Sequence, residues 1–297
     1  MARNEQLSNR DCSLPEVPHA GREVMPVPGS GPKFDVSVPN AARIYDYMLD
    51  GKDNYQADRD AAERLLKLLP DAQDACRQNR YFLQRVVSYL VGQCGIRQII
   101  DIGSGLPTQD NVHQVARRNH PDTRVVYVDY DPVVVSHANN VLAGGGVTPG
   151  IAVVHADARQ PKAILGDPKV TELIDFDSPV AVLMLAVLHF IPDQDDPRGI
   201  VEEFTDVIAP HSYVGISHIT DDEVDKLLSV EAQGVYIDAS APAVPRSAGE
   251  IREFFSALEL APPGLVDVNQ WPAYILPDAT PMNPRTLMYG GVGRKVY

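Results

Sequence analysis

Residues 96–108 read Ile96-Arg97-Gln98-Ile99-Ile100-Asp101-Ile102-Gly103-Ser104-Gly105-Leu106-Pro107-Thr108. A β-branched apolar run ends on an acid, and two glycines follow before a proline and a threonine that can open a helix. The stretch therefore predicts strand, tight turn, helix. Glycines at 103 and 105 permit positive φ and remove the Cβ atoms that would hold a ligand off the backbone, while the next helix start offers free N–H groups. The turn is a candidate ligand seat, and the rest of the chain is read outward from it.

Downstream, strand and helix patterns alternate. Residues 125–129 predict a second strand and 132–142 the helix after it; Gly144-Gly145-Gly146 breaks the chain before a third strand at 151–155. A fourth strand is expected over 180–188, a helix near 200–208 and a fifth strand over 213–219. Thr220-Asp221-Asp222-Glu223 and Ser247-Ala248-Gly249-Glu250 both have the form of capping boxes, the second opening an amphipathic run of Ile251, Phe254, Phe255 and Leu258. Residues 265–268 and 286–289 supply two last strands, seven in all. Such alternation implies an α/β fold: a Rossmann-like, mostly parallel seven-stranded sheet with helices on both faces. Upstream, helical spacing over residues 39–95 predicts three helices, an N-terminal helical cap segment ahead of the Rossmann-like domain at 96–297. Residues 1–38, with five prolines among polar residues, read as a flexible tail.

The charge balance narrows the partners. With 40 acidic against 26 basic residues the chain carries a formal charge of −14, which repels phosphate backbones and anionic headgroups. A nucleic-acid or membrane partner is not expected. Three widely spaced cysteines suggest neither a disulfide framework nor a zinc site, and no metal is expected. No run approaches the ~20 apolar residues of a membrane span, and the polar start shows no secretory signal, so the expected location is cytoplasmic. The sequence leaves the oligomeric state open.

In open α/β sheets ligands bind beyond the carboxyl ends of the strands, where strand order reverses. The predicted strand ends carry Asp101, Asp129-Tyr130-Asp131, Asp157-Ala158, His189 and His218. A Gly-x-Gly turn alone is a weak indicator. Asp129, however, stands where an acid can accept hydrogen bonds from both ribose hydroxyls, and Asp157 where an adenine amino group can be received. The turn itself adds Ser104, and Tyr130 and Ala158 follow the two acids. A dinucleotide fingerprint would carry a third glycine where this chain has Thr108 after Pro107, which weakens a pyrophosphate reading. Asp101 would oppose a pyrophosphate but can receive the amino group of a methionine moiety. S-adenosylmethionine is the better fit, with Arg80 as a candidate partner for its carboxylate.

At this point the chain resembles a known family. Residues 101–108, Val125-Val126-Tyr127-Val128-Asp129-Tyr130-Asp131-Pro132 and Ala156-Asp157 are similar to the first three motifs of class I S-adenosylmethionine-dependent methyltransferases. More narrowly, residues 42–54, Asn79-Arg80, residues 98–108 and the terminal Gly290–Arg294 segment resemble a bacterial methyltransferase family long listed as a domain of unknown function. The likeness spans about residues 38–297 and implies the class I fold and the cofactor, but no substrate. Leu188-His189-Phe190-Ile191-Pro192-Asp193 is similar to the Leu-x-His-Asp-Trp-x-Asp stretch that carries the general base of plant-type O-methyltransferases. That likeness makes His189 the candidate base, although Phe190-Ile191 depart from the pattern. The chain lacks the Asp/Asn-Pro-Pro-Tyr tetrapeptide of adenine and glutamine-amide methyltransferases. The resulting expectation is methyl transfer to the oxygen or nitrogen of a small-molecule acceptor. Alternatives are a non-catalytic cofactor-binding sensor or regulatory protein and, third, a nicotinamide-dependent oxidoreductase. Tyr45, Tyr47, Asn54 and Tyr55 are candidates for a lid.

Overall fold

The computed structural model describes residues 35–107, 110–144, 149–236, 239, 241–271 and 287–297. The predicted tail therefore lies almost entirely outside the described residues, as do Thr108, the glycines after Gly144, and Thr286. Three helices come first: α1 (Ala41–Met48), α2 (Gln56–Leu68) and α3 (Ala72–Gly92). The sheet strands follow as β1 (Gln98–Ile102), β2 (Arg124–Asp129), β3 (Ile151–His155), β4 (Ala181–Leu185) and β5 (Tyr213–Ile219), then the short β6 (Glu259–Leu260) and β7 (Val266–Asp267), and β8 (Met288–Arg294). Between them run α4 (Val112–Asn119), α5 (Pro132–Gly144), α6 (Pro161–Leu165), α7 (Pro168–Leu173), α8 (Pro197–Val207), α9 (Lys226–Val235) and α10 (Ala248–Glu253).

The sheet order is β3-β2-β1-β4-β5-β8-β6, with β7 also paired to β8. β1 to β5 run parallel, and β8 lies antiparallel against β5 from Tyr213↔Arg294 to Ile219↔Met288. Chain order reverses between β1 and β4, which makes that rim the switch point.

Alternate residues of each central strand serve opposite cores. Ile99, Val125, Tyr127 and Leu183 pack with Phe82, Val86 and Leu90 of α3 and with Val112 and Val115 of α4. Ile100, Ile102, Val126, Val182 and Met184 pack with Ile200, Val201 and Phe204 of α8 and with Ile251 and Phe254 of α10. A strand covered on both faces needs an unbroken apolar run, and all five residues of β1 and of β4 are buried. A third cluster joins Ile44 and Met48 of α1 to Ala61, Ala62 and Leu65 of α2 and Ala232 and Val235 of α9. α1 and α2 are further locked by a buried ion pair, Arg43 Nε to Asp58 Oδ2 at 2.8 Å. Trp271 is fully buried and meets Phe82 and Tyr89 edge-on.

Three expectations need correction. The helix after the glycine turn starts at Val112, not at Pro107, because Asn111 and Gln114 form the capping box: Asn111 N–H donates to Gln114 Oε1 at 2.8 Å. β4 stops at Leu185 rather than running to 188, since Ala186 adopts φ 55° and its N–H turns to Ser217. His189 consequently sits in a 3-10 turn, Leu188–Phe190, beyond the strand. Thr220 opens no helix; α9 is capped by Asp225, which accepts from the N–H groups of Leu227 and Leu228. Ser247 does form its box with Glu250. The mostly parallel sheet agrees with the seven strands read; among the described residues the two-residue β6 is added to them, and it, α6 and α7 are too short to leave a periodic pattern. Among the described residues no helix is long and apolar enough to cross a membrane.

Candidate functional site

The glycine turn folds back over β2: Gly103 and Ser104 N–H both donate to Val128 O, at 2.8 and 3.2 Å. Both glycines have positive φ, +69° and +65°, a region that costs other residues roughly 1–2 kcal/mol. Their surroundings differ. A Cβ on Gly103 would stand 2.4 Å from Val187 Cγ2, whereas a Cβ on Gly105 would meet nothing within 4 Å. Gly105 N–H donates to Asp129 Oδ2 at 2.9 Å, and Asp129 Oδ1 accepts from Asp131 N–H at 2.9 Å. Asp131 in turn accepts from Val133 N–H at 2.7 Å and so starts α5. The acid at the end of β2 is thus fixed by the turn at the end of β1.

Above this turn lies a cavity of about 130 Å³. Seven of the ten candidate residues line it: Arg80, Asp101, Gly103, Ser104, Gly105, Asp129 and Tyr130. Asp101 is 5% exposed; burial, opposed by the charge of Arg80 and reinforced by that of Asp129, pushes its pKa up to about 7. Burial likewise raises Asp129 to about 6, against the N–H donors of Asp131 and Gly105. Two buried carboxyls poised near neutrality favour a ligand that brings hydrogen-bond donors or positive charge.

Asp157 and Ala158 do not line this cavity. Asp157 is engaged by Arg159 Nη2 at 2.6 Å, and Arg159 also reaches Asp195 at 3.4 Å. Burial raises the Asp157 pKa, but the hydrogen bonds and charge of Arg159 outweigh this and hold it below the usual value.

Two contributors escaped the sequence reading. Asp46 of α1 lines the cavity and is buried; its Oδ2 accepts from Asn54 Nδ2 at 2.8 Å and Asp53 N–H at 2.9 Å. Gly51 belongs to the same loop, because a Cβ there would lie 2.0 Å from Asp46 Oδ1. The Asp46…Gly51…Asp53-Asn54 spacing was visible in the family likeness but had no assigned purpose. Asn79 of α3 accepts from Ser217 Oγ at 2.6 Å and donates to Tyr45 Oη at 3.0 Å, joining β5 to α1 across the cavity wall.

A second cavity of about 120 Å³ adjoins the first, and Ala41, Tyr45, Ala186 and Phe190 line both. His189 belongs to this second cavity. Its ring is 4% exposed and packs at 4.4 Å on Phe190 and 5.3 Å on His218, centroid to centroid. Its Nδ1 is buried with no hydrogen-bond partner among the described residues. Burial, then the charges of His218 and Arg246, hold its pKa well below the ordinary value, so the ring is neutral.

His218 is different. Its Nδ1–H donates to Ile219 O at 2.7 Å and its Nε2 accepts from Arg246 Nη1 at 2.9 Å. With both nitrogens committed it is a satisfied core histidine; burial takes its pKa to about 3, despite the Ile219 hydrogen bond. Arg246, also missed in the sequence, donates to Leu188 O at 3.2 Å, Ile191 O at 2.9 Å and Asp193 Oδ1 at 2.6 Å. It clamps the turn that carries His189.

Comparison with solved structures places this geometry among known ones. A DUF574 family protein from Streptomyces avermitilis is 37% identical, with 88% of this chain and 99% of that one covered and a TM-score of 0.81. A protein from Thermobifida fusca, provisionally described as a methyltransferase, is 36% identical over 89% of this chain and 97% of its own, again with a TM-score of 0.81. No curated protein matches the chain. The model of the S-adenosyl methyltransferase family matches residues 29–296, and with the glycine turn, the buried acids and the switch-point cavity in view, the chain belongs to that family: it is an S-adenosylmethionine-dependent methyltransferase.

Proposed function

We propose that the acceptor of this methyltransferase is a small molecule held in the second cavity. The reading rests on one observation: the cavity at the glycine turn and the cavity holding His189 share a wall of Ala41, Tyr45, Ala186 and Phe190. A regulatory protein that only binds the cofactor needs no such adjoining space. The formal charge of −14 also favours a small acceptor over a nucleic acid.

The residues at the turn fit the cofactor. Gly105 leaves its Cβ position open, and Asp101 and Arg80 offer opposite charges for an ammonium and a carboxylate. In this proposal Gly103, Ser104 and Gly105 provide the backbone approach, Asp129 with Tyr130 holds the ribose, Asp101 the amino end and Arg80 the carboxylate. Asp157 and Ala158, one strand further out, serve the adenine. When bound, S-adenosylmethionine supplies a methyl group already made electrophilic by its sulfonium. The protein's task is alignment, which contributes roughly 7–11 kcal/mol. His189 is the candidate base.

Calorimetric titration with S-adenosylhomocysteine, beside an Asp129→Ala variant, tests the cofactor seat. Micromolar binding by the wild type is expected, weakened roughly tenfold or more in the variant, a loss of about 1.4 kcal/mol or more. A folded wild type that binds no S-adenosylhomocysteine overturns the assignment of these residues.

A further inference from the structure

The chemistry of the second cavity narrows the acceptor beyond "small molecule". Its walls come from Ile44, Met48, Leu65, Leu69, Ile219 and Met288 together with further apolar side chains. No lysine or arginine lines it among the described residues. Among the described residues Asp221 is the one formally charged lining residue, and its carboxylate accepts from Ser229 Oγ at 2.8 Å. Cys76 is kept neutral, burial pushing its thiol up to about 12. An acceptor bearing a phosphate or carboxylate would lose its water here and gain no cation from the described lining residues in return. An aliphatic ammonium fares little better at His189, because the Arg246 guanidinium bonds to the His218 ring that packs against it.

His189 is the polar feature that asks for a partner. The residue is buried and its Nδ1 has no hydrogen-bond partner among the described residues, whereas buried polar groups are as a rule paired. The ring also has little freedom to leave the wall. Its backbone carbonyl accepts from Val244 N–H at 2.7 Å, its own turn is clamped by Arg246, and its faces meet Phe190 and His218. A ligand that enters the cavity can bring a hydrogen-bond donor to the neutral imidazole.

Resting on the methyltransfer reading above, we propose that the acceptor is an uncharged, largely apolar molecule whose phenol-type hydroxyl donates a hydrogen bond to His189 and is the oxygen methylated. A phenol, with pKa about 10, is the hydroxyl a neutral imidazole can relieve of its proton; an alkyl alcohol is far too weak an acid. In the step the acceptor oxygen forms a bond to the methyl carbon, the carbon–sulfur bond breaks with its electron pair left on sulfur, and the hydroxyl proton passes to His189. Positive charge moves from sulfonium to imidazolium, so the net charge of the site is unchanged. This matters for a base whose isolated protonation is disfavoured by burial.

The test uses the full chain saturated with S-adenosylhomocysteine, titrated with three probes of one size: a naphthol, the corresponding hydroxynaphthoate, and naphthylmethylamine. The naphthol is expected to bind, with the charged probes weaker by roughly tenfold or more. His189→Phe, which keeps a ring and removes both nitrogens, is expected to weaken the naphthol by a similar factor and to leave S-adenosylhomocysteine affinity unchanged. With S-adenosylmethionine the naphthol should become methoxynaphthalene, seen by mass spectrometry beside S-adenosylhomocysteine. The proposal is overturned if a charged probe binds as tightly as the naphthol, if the naphthol fails to bind or binds without being methylated, or if His189→Phe binds it unchanged. The comparison of probes on the wild type stands even if the variant does not fold. A wild type that binds no S-adenosylhomocysteine is a different failure, that of the cofactor seat.

Discussion

Gly103 and Gly105 share a left-handed backbone but not a reason for being glycine. At Gly103 the missing Cβ makes room for Val187, so the residue serves the packing of the turn onto the chain after β4. At Gly105 the position opens on empty space beside Asp129, which leaves room for the proposed ligand. Gly103→Ala should lose about 2–4 kcal/mol of stability, the sum of backbone strain and overpacking. Gly105→Ala should lose only about 1–2 kcal/mol, from strain alone, yet weaken S-adenosylhomocysteine binding. Urea unfolding and calorimetry on both variants separate the two effects; equal stability losses would refute the distinction. A sequence pattern finds both glycines, but it treats them as one motif.

At the scale of elements, the segment after β4 is held by a residue far along the chain. Arg246 reaches Asp193 across 53 positions and satisfies Leu188 O, Ile191 O and His218 Nε2. Asp193 is 81% exposed and returns to water if the arginine is removed, so the energetic weight lies on the buried acceptors. Arg246→Met keeps the apolar stem and leaves those acceptors unpaired, an expected cost of roughly 2–5 kcal/mol in chemical denaturation. Amide exchange should quicken at Phe190 and Ile191, whose N–H groups close the turn onto Val187 O and Leu188 O. Unchanged exchange there would mean that the turn stands without its clamp. Helix starts follow another rule, since a cap needs only neighbours in sequence. Ser247 with Glu250 was readable for that reason, and Asn111 with Gln114 had the same local form.

For the whole molecule the buried acids of the cavity at the glycine turn, the proposed cofactor seat, set stability against binding. Asp101 and Asp129 have folded pKa values of about 7 and about 6, above their ordinary value of 3.8. The unfolded chain therefore gives up these protons first, and stability falls as pH rises from about 4 towards about 7. On account of Asp101 the ligand-free protein should be roughly 2–4 kcal/mol less stable at about pH 8 than an Asp101→Asn variant, with the difference vanishing near pH 4. Cofactor affinity should run the other way. It falls as pH drops from about 8 to about 6, where the carboxylates protonate, and it is weakened in Asp101→Asn at all pH values. Thermal melts across this range, with and without S-adenosylhomocysteine, check both signs. A variant no more stable than the wild type at the alkaline end would show that the buried carboxyl costs the fold nothing.

The sequence by itself determined the order of the elements, the parallel sheet, and the acids at the ends of β1 and β2. Each of these follows from local periodicity, glycine placement and the rule that ligands sit at strand ends. Tertiary structure alone decided which polar groups meet. Asn79 finds Ser217 across 138 positions, Asp46 enters the cavity because a loop closes over Gly51, and His218 is satisfied while His189 is not. His218 lies near the end of β5 and His189 just beyond β4, and in sequence both read as histidines at the ends of parallel strands. His218 is satisfied by its neighbour's carbonyl, Ile219 O, and by Arg246, which the fold brings alongside, and no periodicity encodes a contact between residues so far apart.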